Sequence, residues 1–533
     1  MSARTVDQPA ATPAAPAPGS GGGGAWSPLA SRPFLWLWLA TVASNMGTWM
    51  HDVGAGWLMT TLSPSPVMVA LVQAATTLPV FLLALPAGAI ADLTDRRRLL
   101  IAASAAMAVV AAGAMTAPLL LAGTFLLGAG AAFVAPAWQA IVPALVPRGD
   151  LPAAVALNGL GVNVSRAIGP ALAGVLIVAL GLWAPFLANT VSFLGILAVL
   201  ALWQGEARPE TRLPAEGVAV ALVGGVRYAR HSADLKRTIA RAVAFFVFAS
   251  AYGAMLPLVA RTVLGGGSTL YGLLMGCVGA GAVAGALGMP WLRRRHGPDA
   301  LVFGGTLATA AAMAAFGLAA AIAAVAAGAG WITVFASLQV SAQAALPHWI
   351  RARGLSLYLM GFFGAMAGGA TLWGFVAQAA GVAAALLIAA AGLVVAAGLT
   401  RRIALVSGDG SEHVSSQHWP APPVLPPEEG ERGPVMIAVA YRVPAANRAA
   451  FLAAAGRLGE ARRRDGAYEW HLFEDADSPG LIEERILVAR WVDHLRQHDR
   501  VREADRALQA ELAALCDPAA GPPAVRHLVA AAG

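Results

Sequence analysis

From Phe34 to Leu405 the chain is almost unbroken Ala, Leu, Val, Gly, Phe and Trp, and its charges gather at every second interruption. The first interruption, Ser63-Pro64-Ser65-Pro66, is uncharged, and the second carries Asp92, Asp95, Arg96, Arg97 and Arg98. The third, Thr116-Ala117-Pro118, is bare, and the fourth has Arg148 and Asp150. The fifth, near Gly181-Leu182-Trp183, is bare again, and the sixth is a long charged segment. The second half repeats the alternation, with Arg261 as the one basic residue out of place. A water-exposed fold gives no reason for such a rhythm. A bilayer does, because Lys and Arg are retained on the cytoplasmic side of spanning helices.

Composition agrees. The 533 residues are 58% hydrophobic and 12% charged, against about 25% charge in soluble domains, and mean hydropathy is +0.66. A spanning helix needs roughly 20 apolar residues. Twelve spans are predicted: 33–61, 67–91, 98–116, 119–142, 152–180 and 182–203, then 237–263, 268–292, 299–322, 326–347, 353–379 and 382–401. Placing Arg96–Arg98 inside puts both termini in the cytoplasm and the protein in the inner or plasma membrane, multi-pass. The abundant Gly and Ala suit close helix packing in lipid. The net charge of +7 reads as positive-inside loops near anionic headgroups, not as a nucleic-acid surface. Two cysteines do not make a disulfide framework or a cysteine metal site. No Walker motif appears, so direct drive by ATP is not expected, and no cofactor is called for.

The expected organisation has six parts. Residues 1–30 are a disordered tail, 31–203 a first six-helix lobe and 204–236 a cytoplasmic central loop. Residues 237–405 are a second six-helix lobe, 406–433 a Pro/Ser/Glu-rich linker, and 434–533 a soluble domain. The halves echo each other: Pro147-Arg148-Gly149 before span five matches Arg351-Ala352-Arg353-Gly354 before span eleven, and Asp92–Arg98 matches Arg293–Arg295. Two such halves are the pattern of a two-lobed transporter. In the soluble part, strands at 435–443, 468–474, 481–491 and 524–529 and helices at 447–464 and 492–515 give a β-α-β-β-α-β order, a small ferredoxin-like α+β sandwich.

Gly88-Ala89-Ile90-Ala91-Asp92-Leu93-Thr94-Asp95-Arg96-Arg97 resembles the signature loop of the major facilitator superfamily, which follows the second span. Gly88, Asp92, Arg96 and Arg97 match; Leu93 stands where Arg is usual and Asp95 where Gly is usual, a variant similar to the branch containing the enterobactin exporter. In span five, Gly169, Pro170 and Gly174 match the Gly-Pro antiporter motif of export-type facilitators, whereas Ser165 and Ala173 replace glycines. The 434–533 segment resembles the dimeric α/β-barrel family that includes small monooxygenases. These resemblances imply an all-α facilitator fold, small-molecule transport with the loop gating the conformational change, and a soluble domain through which two copies pair. No residue set in that domain requires catalysis.

Two charges interrupt the spans from within. Arg166 lies about 21 Å into its helix at 1.5 Å per residue, where an ionisable group is costly and marks function. Asn163 lies one turn earlier. The functional reading is a substrate or coupling site; the alternative is an arginine bonded to helix backbone or to a carboxylate. Asp52, beside His51, is the acidic residue well inside a span. Burial raises a carboxyl's proton affinity, so Asp52 could exchange a proton near neutral pH, as proton-coupled transport requires. The alternatives are a position nearer the surface, or permanent pairing with Arg166. Gln73, Gln139, Asn158, Gln339 and Gln343 are intramembrane amides, either packing contacts or ligand contacts. Trp36, Trp38, Trp49 and Trp57 suggest interface anchors. His494 and His498 share a helix face without a third ligand, so no metal is expected. The reading is a proton-coupled exporter of a small hydrophobic or amphipathic molecule, of drug or siderophore type. An importer of the same class, or a membrane-anchored enzyme acting through its tail, are the rivals.

Overall fold

Lipid offers the backbone no hydrogen-bond partner, so each crossing closes its bonds within a helix. The computed structural model describes residues 26–93, 96–111, 116–147, 150–202, 218–347, 350–406 and 432–531. The apolar stretches are helices α1 (Arg32–Leu62), α2 (Pro66–Leu93), α3 (Arg96–Ala111), α4 (Ala117–Leu145), α5 (Leu151–Leu180) and α6 (Ala184–Leu202). A shorter α7 (Val218–His231) follows, then α8 (Ala233–Leu258), α9 (Ser268–Arg295), α10 (Pro298–Ala315), α11 (Ala320–Ala344), α12 (Arg351–Ala380) and α13 (Val382–Thr400). Among the described residues, ten of these helices are long and apolar enough to cross a membrane. The two others that the sequence marks as spans are α1, diluted by Ser44, Asn45, Thr48 and Asp52, and α3, with 16 described residues.

In the first half α1 packs on α5 and α6, α2 on α4, and α3 on α4 and α6; in the second, α8 packs on α12 and α13, α9 on α11, and α10 on α11 and α13. Two seams join the halves, α2 against α12 and α5 against α9. The repeat survives in backbone detail. The 30-residue α5 ends at Gly181 with φ +100°, and the 30-residue α12 ends at Gly381 with φ +88°. Each glycine takes the left-handed turn that lets the next helix start at once.

One end of the bundle is basic: α3 starts there with Arg97, α9 ends there with Arg293–Arg295, α12 starts with Arg351, and Arg401 and Arg402 follow α13. These side chains work on helix ends. Arg97 donates to the carbonyls of Leu200 and Ala201 at the end of α6, both at 2.8 Å, which satisfies carbonyls a helix terminus leaves open. Arg241, buried near the start of α8, pairs with Asp299 of α10 and donates to the Ile403 carbonyl at 2.9 Å.

The segment 204–236, expected as a loop, contains α7, and α8 begins at Ala233, not 237; Ser232 caps it by accepting from the Leu235 N–H. α7 packs on α12 and α14. Tyr228, wholly buried, donates to the Ala345 carbonyl at 3.2 Å beyond α11. Residues 1–25, 203–217 and 407–431, which include most of the expected tail and linker, lie outside the described residues.

The C-terminal region forms β1 (Val435–Arg442), α14 (Arg448–Asp465), β2 (Glu469–Glu474), β3 (Leu481–Val488), α15 (Trp491–Arg500), α16 (Glu503–Leu515) and β4 (Ala524–Val529). Its antiparallel sheet has the order β2-β3-β1-β4, that of a ferredoxin-like sandwich. The single helix expected over 492–515 is broken at Val501–Arg502 into α15 and α16. Period-2 burial places Ile482, Glu484, Ile486 and Val488 of β3 in the core. Glu484 is tolerated there because Tyr441 (2.9 Å), Trp470 (2.9 Å) and Arg462 (3.2 Å) all donate to it.

The sequence pair His494 and His498 gains a third ring, His527 on β4, 4.8 Å from His494. The Nε2 atoms of His494 and His498 lie 3.4 Å apart, in direct contact, and among the described residues no group of three or more His, Cys, Asp or Glu is placed to hold a metal ion. Burial, and then the neighbouring His498 and His527, push His494 down to about 3 from 6.5. The folded domain therefore binds fewer protons than the unfolded chain between pH 6.5 and 3, and its stability falls as the pH drops through that window. The expected slope is on the order of 1 kcal/mol per pH unit for one histidine. Protection factors of β4 and α15 amides, corrected for the intrinsic pH dependence of exchange, should fall from pH 7 to pH 4.5 in the full chain in nanodiscs, and His494→Leu should flatten that dependence.

Candidate functional site

The middle of α5 is built to touch two helices at once. A Cβ on Gly169 would stand 2.8 Å from the Cβ of Trp49 and 3.1 Å from the Met46 carbonyl, so α5 lies tight against α1. One turn on, Gly174 meets Gly272 of α9: a Cβ on Gly272 would come 2.7 Å from the Gly174 Cα and 3.1 Å from the Pro170 carbonyl. The Gly-Pro-Gly pattern is thus a packing device, bringing backbones together where side chains would hold them apart. Gly174 and Pro170 sit on the seam between the halves. Other contacts cross in the same half of the bundle, remote from the basic end. Ser65 donates to Gln378 at 2.9 Å, Gly374 of α12 packs on Ala70 of α2, and Arg261 donates to the Thr60 carbonyl at the end of α1. That last bond occupies the one basic residue that breaks the charge rhythm.

Arg166 lies mid-helix on α5, and its guanidinium is held by rings, not by acceptors. It sits 5.3 Å from the Trp49 ring of α1 and 5.1 Å from the Trp331 ring of α11, one indole from each half. Cation–π contacts of this kind are worth about 2 kcal/mol or more when desolvated. Its Nε and Nη1 are shut away from solvent and have no hydrogen-bond partner. Trp331 is itself stacked on Phe335 at 5.0 Å and set edge-on to Phe246 and Phe362, so the second half presents an aromatic wall to the cation. Tyr252 of α8 is within electrostatic reach.

Asp52 lies nearly three turns short of the end of α1, within electrostatic reach of Tyr271 of α9. Among the described residues it makes no hydrogen bond or ion pair, with Arg166 or otherwise. Gly56, one turn on along α1, faces the same way: a Cβ there would stand 3.0 Å from the Tyr271 hydroxyl and 3.4 Å from Pro257. His51 turns elsewhere, set edge-on to Phe186 of α6 at 4.9 Å within the first half, buried and with neither ring nitrogen bonded. The adjacent pair in sequence is therefore split between two faces of α1.

The remaining sequence candidates are dispersed. Gln343 is exposed in the last turn of α11 near the basic end. Gln73 of α2 approaches Gly253 of α8 across the halves, and the Gln339 Oε1 is buried without a partner. Gly88, Asp92, Arg96, Gln139 and Asn163 lie on helices, but their side chains fall outside the described residues, as does Asp95. Of the early tryptophans expected to anchor the interface, three make contacts inside the bundle. Trp38 donates to the Leu157 carbonyl at 3.0 Å, Trp49 lies on Arg166, and Trp57 stacks on Tyr271 with centroids 6.1 Å apart. Trp36, 59% exposed, alone keeps an open position.

Residues 23–533 match the family model described as transmembrane secretion effector. The chain belongs to that family of major facilitator proteins. Membership makes it a multi-pass membrane protein placed among transporters, not enzymes. A staphyloferrin A transporter of Staphylococcus aureus is 26% identical over 256 residues, 46% of this chain and 64% of that relative; the match therefore spans less than two thirds of the relative's length. Among solved structures, a bacterial homologue of the human lysosomal transporter Spinster, inward-facing and unoccupied, aligns with TM-score 0.56 at 16% identity, over 72% of this chain and 98% of that one. A peptide-bound POT family transporter aligns with TM-score 0.57 at 12% identity, over 69% and 95%. A nucleoside transporter aligns with TM-score 0.51 at 14% identity, over 70% and 99%. At these identities the likeness is one of fold.

The Gly174–Gly272 contact generates a test. Gly272→Val places a side chain against the α5 backbone, and such overpacking costs about 1–3 kcal/mol. The seam between α5 and α9 should loosen while each half stays folded. With native cysteines removed, a Ser65→Cys/Gln378→Cys pair should cross-link several-fold more slowly in the Gly272→Val protein than in its parent.

Proposed function

We propose that the chain is a twelve-span secondary transporter that exports a small hydrophobic or amphipathic molecule across the plasma membrane in exchange for protons. The basic end, with both termini, faces the cytoplasm, because retained arginines mark that side. The two six-helix lobes rock about a central site that opens to each side in turn. The observation that carries this reading is the position of Arg166, a cation in mid-membrane at the lobe seam, contacting one indole from each lobe. An ionisable group at that depth is costly and is kept where it acts.

Asp52 is the proton-coupling group in this reading. It is an intramembrane carboxyl on the face of α1 turned to the second lobe, with no permanent cation partner among the described residues. A carboxyl so placed is neutral when protonated and demands solvation or a partner when it ionises, so its protonation state can bias which side the lobes open to. Export direction is supported by the match of Gly169, Pro170 and Gly174 to the antiporter pattern. The staphyloferrin A relative supports a siderophore or similarly amphipathic cargo.

Purified protein in liposomes with an imposed pH gradient tests the reading. Efflux of an amphipathic probe should follow the gradient, and Asp52→Asn should reduce gradient-driven flux by roughly 100-fold or more, since the proton step is lost, while leaving exchange at equal pH. Flux that ignores the gradient, or that is unchanged in Asp52→Asn, removes proton coupling. Flux confined to the opposite orientation would make the protein an importer.

A further inference from the structure

We infer that Arg166 is the receiving group for a carboxylate on a flat, apolar substrate, and that Trp331 covers it when the site is empty. The inference rests on the transport reading above and names the cargo's chemistry.

Two observations point to a missing anion. An arginine with only a structural task in a helix bundle bonds carbonyls or a carboxylate, as Arg97 does at the end of α6 and Arg241 does with Asp299. Arg166 does neither: its Nε and Nη1 are buried without an acceptor, a state that costs free energy unless a partner arrives. Two parallel N–H groups on a guanidinium match the two oxygens of a carboxylate. The rings that hold the cation also specify the rest of the ligand. Trp49 moves with Arg166 in the first lobe, whereas Trp331 belongs to the second and is stacked on Phe335 beside Phe246 and Phe362.

As the lobes part, Trp331 leaves with its wall. The guanidinium is then uncovered opposite a bank of aromatic faces. A ligand carrying a carboxylate at one end and a flat apolar body at the other satisfies both surfaces at once. Asp52 makes no pair with Arg166 among the described residues, so a bound carboxylate need not displace an internal anion. The sandwich therefore accounts for how an uncompensated cation persists in the empty protein: two π faces substitute for the absent anion until cargo brings one.

The test compares naphthalene-2-carboxylate with its neutral carboxamide, using full-length protein in nanodiscs with empty nanodiscs as the partition control. The wild type should bind the carboxylate roughly tenfold to a hundredfold more tightly than the carboxamide, the range of a charge-assisted hydrogen bond. Arg166→Gln should abolish that preference and keep the carboxamide affinity, Arg166→Lys should restore part of it, and Trp331→Leu should weaken both ligands. Equal affinity of the wild type for the two probes overturns the inference even if Arg166→Gln fails to fold, and so does a preference that survives in a folded Arg166→Gln protein. Flux separates this from the broader reading. Liposomes that move the carboxamide as fast as the carboxylate sink the carboxylate assignment and leave transport standing. Liposomes that move neither probe faster than protein-free controls sink both.

Discussion

Everything in the membrane part follows from a solvent that offers no hydrogen bonds. Because hydrocarbon cannot pair with peptide groups, each crossing is a helix. Because hydrocarbon is as apolar as leucine, burial alone does not hold helices together, and close backbone approach has to. The Gly174–Gly272 and Gly374–Ala70 approaches are that force made visible: where Cβ atoms are absent, α5 meets α9 and α2 meets α12. The same solvent makes every polar side chain within the bundle conspicuous. Most are spent locally, as threonine hydroxyls bonded to the carbonyl one turn back, such as Thr77, Thr124 and Thr309. Arg166 and Asp52 are not, and both lie where the two lobes face each other.

The seam is therefore the one region whose chemistry differs from its surroundings. Inside each lobe, glycine and alanine seat helices permanently. Across the seam the contacts include small-residue approaches, the Ser65–Gln378 and Arg261–Thr60 bonds, the Trp57–Tyr271 stack and the indole pair around Arg166. Contacts that are specific but individually modest suit the parting of the lobes proposed above. A cation held by quadrupoles is a good example, since rings release a charge without leaving a buried counter-ion behind.

Much of the architecture was legible in the sequence, and the failures have physical causes. Helix extents such as Leu151–Leu180 and Val382–Thr400 fall where hydropathy puts them, because span length is fixed by bilayer thickness. α7 was not legible, because its 14 residues are amphipathic and interrupted by charge, and only its burial against α12 and α14 explains it. The break between α15 and α16 is invisible to periodicity, which runs through Val501. Alternation puts Glu484 on the apolar face of its strand, but the three donors that make a carboxylate tolerable there come from distant positions. For the site, a charge within a span was signal enough to find Arg166 and Asp52. That Trp331 would lie on Arg166, and that His51 would turn away from Asp52, depended on helix rotation and on packing partners far apart in the chain, which hydropathy does not encode.

Among the described residues, the soluble domain is bonded to α7 and through it to the second lobe. Arg502, near the start of α16, donates to the hydroxyl of Tyr228, and that hydroxyl donates to the carbonyl of Ala345 in the second lobe. Beside them His231 of α7 donates to Glu460 of α14 at 2.8 Å. α7 is thus the mounting plate. In the rocking proposed above, the domain would travel with the second lobe like a handle on a door. A partner that grips the handle would brake or brace the door itself, changing the cycle from outside the bilayer without ever reaching the cargo.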